Sequence, residues 1–172
     1  MIKMRGLSLL LLSAFLPLGA VAHAQTNACT SSEHRQFDFW LGDWNVYNQQ
    51  GSQVGTNSIT LEQGDCVLHE HWVDTQGGTG ESFNMYDARR GAWHQTWVAS
   101  NGNLLLLDGG LEDGRMVLLG ERRAQNGTGI VLNRISWIPQ PDGSVHQVWD
   151  MSADDGENWQ SAFFGIYRKR NP

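Results

Sequence analysis

The sequence predicts an all-β domain, an up-and-down antiparallel β-barrel of about ten strands closed around a small internal cavity. Short runs rich in β-branched, aromatic and leucine residues alternate with turn chemistry at nearly regular intervals, and no segment carries a helical period of convincing length. The interruptions are built on glycine, as in Gln50-Gly51, Gln63-Gly64, Gly77-Gly78, Arg90-Gly91, Asn101-Gly102, Asp113-Gly114, Asn126-Gly127, Asp142-Gly143 and Asp155-Gly156. Such residues accept the positive φ that tight hairpins demand. A long meander joined by hairpins hides its edges best by closing on itself. A two-sheet sandwich is the competing arrangement.

In chain order, residues 1–24 read as a secretion signal and 25–172 as a single domain. Lys3 and Arg5 supply a positive start, Leu7 to Val21 is apolar, and Ala22-His23-Ala24 has the small-x-small form cut by signal peptidase. The apolar run is short for a membrane span. A turn of helix over Glu33 to Leu41 is expected to plug one barrel end. Strands are expected near 43–49, 54–62, 65–74, 80–87, 92–99, 103–108, 114–121, 129–138, 144–151 and 158–168. Leu104 to Leu107, Met116 to Leu119, and Phe163, Phe164 and Ile166 are apolar on both strand faces. One face can line the barrel, and a homodimer interface is the simple cover for the other.

Without Lys3 and Arg5 the basic count falls from 12 to ten against 18 acidic residues, a net charge of about −8, and Lys169 is the one lysine left. A chain this acidic, without a basic stripe, is a poor partner for nucleic acid or an anionic membrane. The eight tryptophans all lie beyond residue 24. Large rings suit both barrel cores and ligand pockets. The two cysteines, Cys29 and Cys66, lack the C-x-x-C spacing of a redox pair and are expected to form a disulfide in an oxidising compartment.

Three constellations bear on chemistry. His69-x-His71 puts two imidazoles on one strand face, a spacing that zinc accepts, but no third ligand is in view, so no metal is expected. Ser152-x-Asp154-x-Gly156-x-x-Trp159 fits the pattern called an Asp-box, known from sialidases and other β-proteins, where it braces a hairpin. The third is a set of polar residues that alternation puts on strand faces with tryptophans: Glu70 with Trp72, Gln95 with Trp97, and Gln147 with Trp149. Buried polar groups need partners. These six either meet a ligand in a cavity or satisfy one another, or Arg134 or Asn84, in a structural network. No catalytic triad, Gly-x-Ser-x-Gly elbow or phosphate loop is present. Glu70 is the one weak catalytic candidate, as a general acid or base if desolvated.

The segment Phe37-Asp38-Phe39-Trp40-Leu41-Gly42-Asp43-Trp44 resembles the opening of a bacterial domain-of-unknown-function family of exported proteins. Gly64-Asp65-Cys66 with Glu70 and Trp72, Trp93-His94-Gln95-Thr96-Trp97, Asn133-Arg134-Ile135-Ser136-Trp137 and Gly165-Ile166-Tyr167-Arg168 extend the resemblance over nearly the whole mature chain. It carries no activity. More distantly, Gly42-x-Trp44 resembles the G-x-W of calycins, the lipocalin and fatty-acid-binding-protein group. There the tryptophan closes one barrel end and a basic residue of the last strand lies across it, which assigns that place to Arg168. Nitrobindin-like haem barrels share the architecture but use a histidine near the C-terminus, and no histidine follows His146. No cofactor is therefore expected. The resulting expectation is a periplasmic or secreted barrel that binds a small apolar or amphipathic molecule. An isomerase- or hydrolase-type enzyme using Glu70, or a partner-binding protein with a filled barrel, are the alternatives.

Overall fold

A computed structural model describes residues 28–170. The proposed signal segment at 1–24 lies outside the described residues. Ten antiparallel strands follow one another: β1 (Gly42–Tyr47), β2 (Gln53–Glu62), β3 (Val67–Asp74), β4 (Thr79–Asp87), β5 (Ala92–Ala99), β6 (Leu104–Glu112), β7 (Arg115–Arg123), β8 (Ile130–Pro139), β9 (Val145–Ser152) and β10 (Gln160–Lys169). Each pairs with its neighbours in sequence, and β1 pairs with β10, so the sheet is a closed up-and-down barrel without a free edge. Each of the nine expected hairpin turns, from Gly51 to Gly156, contains a glycine with a positive φ. Strand β6 runs past its expected end because Gly109 and Gly110 continue it instead of breaking it. Interior strand glycines mark bends and close backbone approach, and a Cβ on Gly109 would lie 2.1 Å from the Val117 carbonyl oxygen of β7.

One barrel end is sealed. Two short 3-10 turns, Glu33–Arg35 and Asp38–Trp40, carry Phe37 and Trp40 into it, both with no exposed surface. Phe37 stacks on Trp40 at 5.0 Å and meets Trp93 and Trp137 edge-on. Burial of four large aromatic side chains at one level fixes the plug, because such rings dominate core energetics. The Cys29–Cys66 disulfide, with Cα atoms 5.1 Å apart, ties the plug's approach to the segment entering β3. A closed loop of this size stabilises by about 3–4 kcal/mol in the chain-entropy model.

The basic lid on Trp44 is Lys169, not Arg168. Lys169 Nζ lies 3.9 Å from the Trp44 ring centroid, whereas Arg168 stacks on Tyr47 at 5.2 Å. The reason is parity: Tyr167 is buried in the lumen, so Lys169, two residues on, shares its face and Arg168 points out. Trp44 is directly opposite Lys169 in the β1–β10 register. Gly42, at φ +114°, leaves room for this ammonium, since a Cβ there would sit 2.4 Å from Nζ.

The doubly apolar strands resolve into two faces. Leu105, Leu107, Met116 and Leu118 enter the core, and Leu104, Leu106 and Leu119 are exposed. Phe83, Met85 and Val98 on β4 and β5 are exposed as well. Among the described residues, no helix is long and apolar enough to cross a membrane.

Candidate functional site

The plug fills one half of the barrel, and the other half holds a cavity of about 380 Å³. All six residues drawn from strand alternation, Glu70, Trp72, Gln95, Trp97, Gln147 and Trp149, line it. Glu70, Gln95, Gln147 and Tyr167 form its inner level. Trp72, Asp74, Trp97, Trp149 and Phe163 lie nearer the strand ends remote from the plug. Leu105 and Ile135 make the aliphatic wall of β6 and β8.

Two glycines keep the upper level open. A Cβ on Gly80 would lie 2.2 Å from Trp97 Cη2 and Cζ2, and one on Gly55 would lie 2.5 Å from Trp72 Cη2. Each indole therefore packs closely against the backbone of a glycine on a neighbouring strand, in space that a side chain there would fill. Trp149 is pinned by its own hydrogen bond, Nε1 donating to Asn133 Oδ1 at 3.0 Å.

The inner level is a continuous hydrogen-bonded series. Gln95 Nε2 donates to Asn84 Oδ1 at 2.7 Å, and Asn84 Nδ2 donates to Ser82 Oγ at 2.8 Å and to the Leu68 carbonyl at 3.1 Å. Ser82 Oγ donates to Glu70 Oε2 at 2.6 Å, and Asn57 Nδ2 donates to Glu70 Oε1 at 2.7 Å. Asn57 Nδ2 also approaches the Tyr167 hydroxyl at 3.4 Å, and Tyr167 donates to Gln147 Oε1. Glu70, Gln95 and Gln147 are thus held by neighbouring polar side chains, as a structural network requires, and they also line open space. Asn84 belongs to the network. Arg134 does not, for it lies outside, paired with Asp150 at 3.1 Å and stacked on Trp159 at 4.1 Å.

Glu70 is 3% exposed. Burial raises its carboxyl to about 7, and the donors Ser82 and Asn57, which favour the ionised form, only partly offset this. Burial, and then the nearby Glu70 charge, push the Tyr167 phenol well above its ordinary value, so it stays a neutral donor. Asn57 Oδ1 is buried without a hydrogen-bond partner. Asn57, Ser82 and Tyr167 were not singled out from the sequence. Tyr167 was legible, since it shares parity with Phe163 on β10. Asn57 shares parity with Ile59 on β2, but no aromatic residue of its own strand marks that face as cavity-lining.

The histidines lie elsewhere. His69 sits on the outer face between Glu62 (Nδ1–Oε1 2.9 Å) and Glu81 (Nε2–Oε2 2.6 Å), and His71 Nδ1 lies 2.5 Å from Glu81 Oε1. Burial opposes the charge on His69, but the two carboxylates outweigh it and raise its pKa. Among the described residues no three His, Cys, Asp or Glu side chains are arranged to hold a metal. The Asp-box segment braces the β9–β10 hairpin: Ser152 Oγ donates to Asp154 Oδ1 at 2.6 Å and accepts from the Gly156 amide at 3.0 Å. Asp154 in turn accepts from the Asn158 amide at 2.9 Å. Neither a protein-family model nor a curated protein matches the chain.

Proposed function

We propose that the protein is a periplasmic or secreted, calycin-like barrel that binds a small, largely apolar molecule carrying one or two polar groups. One observation carries this reading: six residues from three separated strands converge on a single cavity of about 380 Å³ with mostly apolar walls and few polar groups. Ligand pockets have this size and this composition. A disulfide suits export to an oxidising compartment. Membership of the exported domain-of-unknown-function family with the FDFWxGxW opening belongs to the same proposal.

Glu70 also favours a second reading. A carboxyl raised to about 7 is poised for proton transfer near neutral pH. Against it, Ser82 and Asn57 hold both oxygens, which suits a fixed recognition group better than a proton shuttle. Native mass spectrometry of protein purified from its own compartment tests the binding reading. A stoichiometric small molecule is expected, lost or weakened in Gln95→Leu and Gln147→Leu while the fold persists. If those variants mainly unfold and no small molecule is ever retained, the cavity is a structural void.

A further inference from the structure

We infer that the ligand is an organic cation, an ammonium or guanidinium group on an apolar body, with its charged head at Glu70. The inference rests on the cavity being a binding site and names the chemistry that site selects. The walls contain two carboxylates, Glu70 and Asp74, and no lysine, arginine or histidine. A cavity that selected carboxylate ligands would need a cationic partner for them, because a buried unpaired charge is costly. This one offers the opposite.

Glu70 has spare capacity. An ionised carboxylate has about four acceptor positions, and Ser82 and Asn57 supply the two donors that the structure shows. The rest of the polar floor is uncharged: Tyr167 donates to Gln147, and Gln95 donates to Asn84. The rings of Trp72, Trp97, Trp149 and Phe163 line the same cavity, between the carboxylate and the strand ends remote from the plug. Aromatic faces attract a desolvated cation. The acidic balance of the chain, 18 acidic against 12 basic residues, favours the approach of a cation as well. One positive group bears on the walls from beyond them. Arg122 on β7 lies 5.8 Å from the Trp149 ring and within 3.5 Å of Met151 Sδ, near the strand ends remote from the plug.

The charged and titratable groups around Glu70 are Tyr167 on β10, which stays neutral, and Asp74 on its own strand. Glu81 and His69 act on it from the outer face, with opposite signs. Asn57 on β2 and Ser82 on β4 are uncharged. A bound cation should therefore draw the proton from Glu70, and binding should strengthen as pH rises until the carboxyl is fully ionised.

Isothermal titration of the disulfide-bonded protein with octylammonium, octan-1-ol and octanoate separates the possibilities, since the three probes share one apolar body. Octylammonium is expected to bind tightest, with affinity rising from about pH 5 to about pH 8 while that of octan-1-ol stays flat. Glu70→Gln should weaken octylammonium by about tenfold or more, the scale of one hydrogen bond to a charged group, and leave octan-1-ol within about twofold. The head-group and pH comparisons use the unsubstituted protein, so they stand even if the variant folds poorly. Octan-1-ol binding as tightly as octylammonium, or a pH-independent octylammonium affinity, overturns the cation assignment and leaves the binding site intact. Octanoate binding tightest overturns it too, and points to Arg122. If no octyl probe binds at all, the binding-site reading fails and takes the cation with it.

Discussion

Replacing Glu70 by Gln should change how the fold's stability depends on pH. In the unfolded chain this carboxyl titrates near its ordinary 4.5, and in the barrel burial raises it to about 7. Below both values each state carries the proton and nothing is lost. As pH rises the unfolded chain ionises first, so it binds fewer protons than the native state and stability falls. The fall ends above the native value, where both states are ionised. At 1.36 kcal/mol per pH unit, a shift of this size corresponds to a loss of about 3 kcal/mol. At 3% exposure, solvent screening of that figure is small. A protonated Glu70 needs an acceptor, and a half-turn of the Asn57 amide would present its unpartnered Oδ1. Denaturant unfolding of the protein and of Glu70→Gln at about pH 4.5 and about pH 8 measures the effect as a difference of differences. His69 and the surface carboxylates contribute to both proteins and largely cancel. The unsubstituted protein should lose about 3 kcal/mol relative to the variant between the two pH values. A relative change below about 1 kcal/mol would mean that Glu70 titrates alike in both states, and the account of a desolvated carboxyl would be refuted.

Gly80→Ala should destabilise by about 1–3 kcal/mol through overpacking, because its Cβ would overlap the Trp97 indole. Gly110→Ala, with open space around its Cβ, should stay within about 0.5 kcal/mol, and thermal melts compare the two. Lys169→Ala should cost about 1 kcal/mol by removing the ammonium from the Trp44 face. Arg168→Ala removes the looser contact with Tyr47 and should cost about 0.5 kcal/mol, and the reverse order would count against Lys169 as the lid.

The barrel and the parities of β3, β5 and β9 were legible because alternation at period two is written into those strands, whereas β6, β7 and β10, apolar on both faces, do not record which side turns inward. Glu70 and Trp72, Gln95 and Trp97, and Gln147 and Trp149 reach one cavity for that reason. The assignment of Arg168 missed by one residue because the resemblance placed a basic group at the end of the last strand without fixing that strand's parity. Tyr167 would have fixed it, whereas counting from the strand's other end would not, since the β9–β10 register shifts between Ser161 and Phe163. Asn57 escaped because its partner is distant in the chain. Its parity with Ile59 turns it inward, but its partner is a carboxylate 13 positions along the chain, and no local pattern records that pairing.

Alternation cannot distinguish the native register from one slipped by two residues, since both put the same side chains inside. The lumen distinguishes them by chemistry. In the native pairing Glu70 lies opposite Ser82, and Asn84 lies opposite Gln95, so each polar group meets a partner across one strand gap. Trp72 lies opposite Gly80, and Trp97 reaches that same glycine with its ring. Sliding β5 by two residues along β4 would move Trp97 opposite Gly80 or Asn84 and take Gln95 from Asn84. Sliding β3 would set Glu70 against Gly80, with no donor, or against Asn84, with Trp72 then facing Ser82. A carboxylate without donors costs more than a lost van der Waals contact, so the polar floor penalises slips that hydrophobic burial alone would tolerate. The residues that give the cavity its recognition chemistry therefore also set its register.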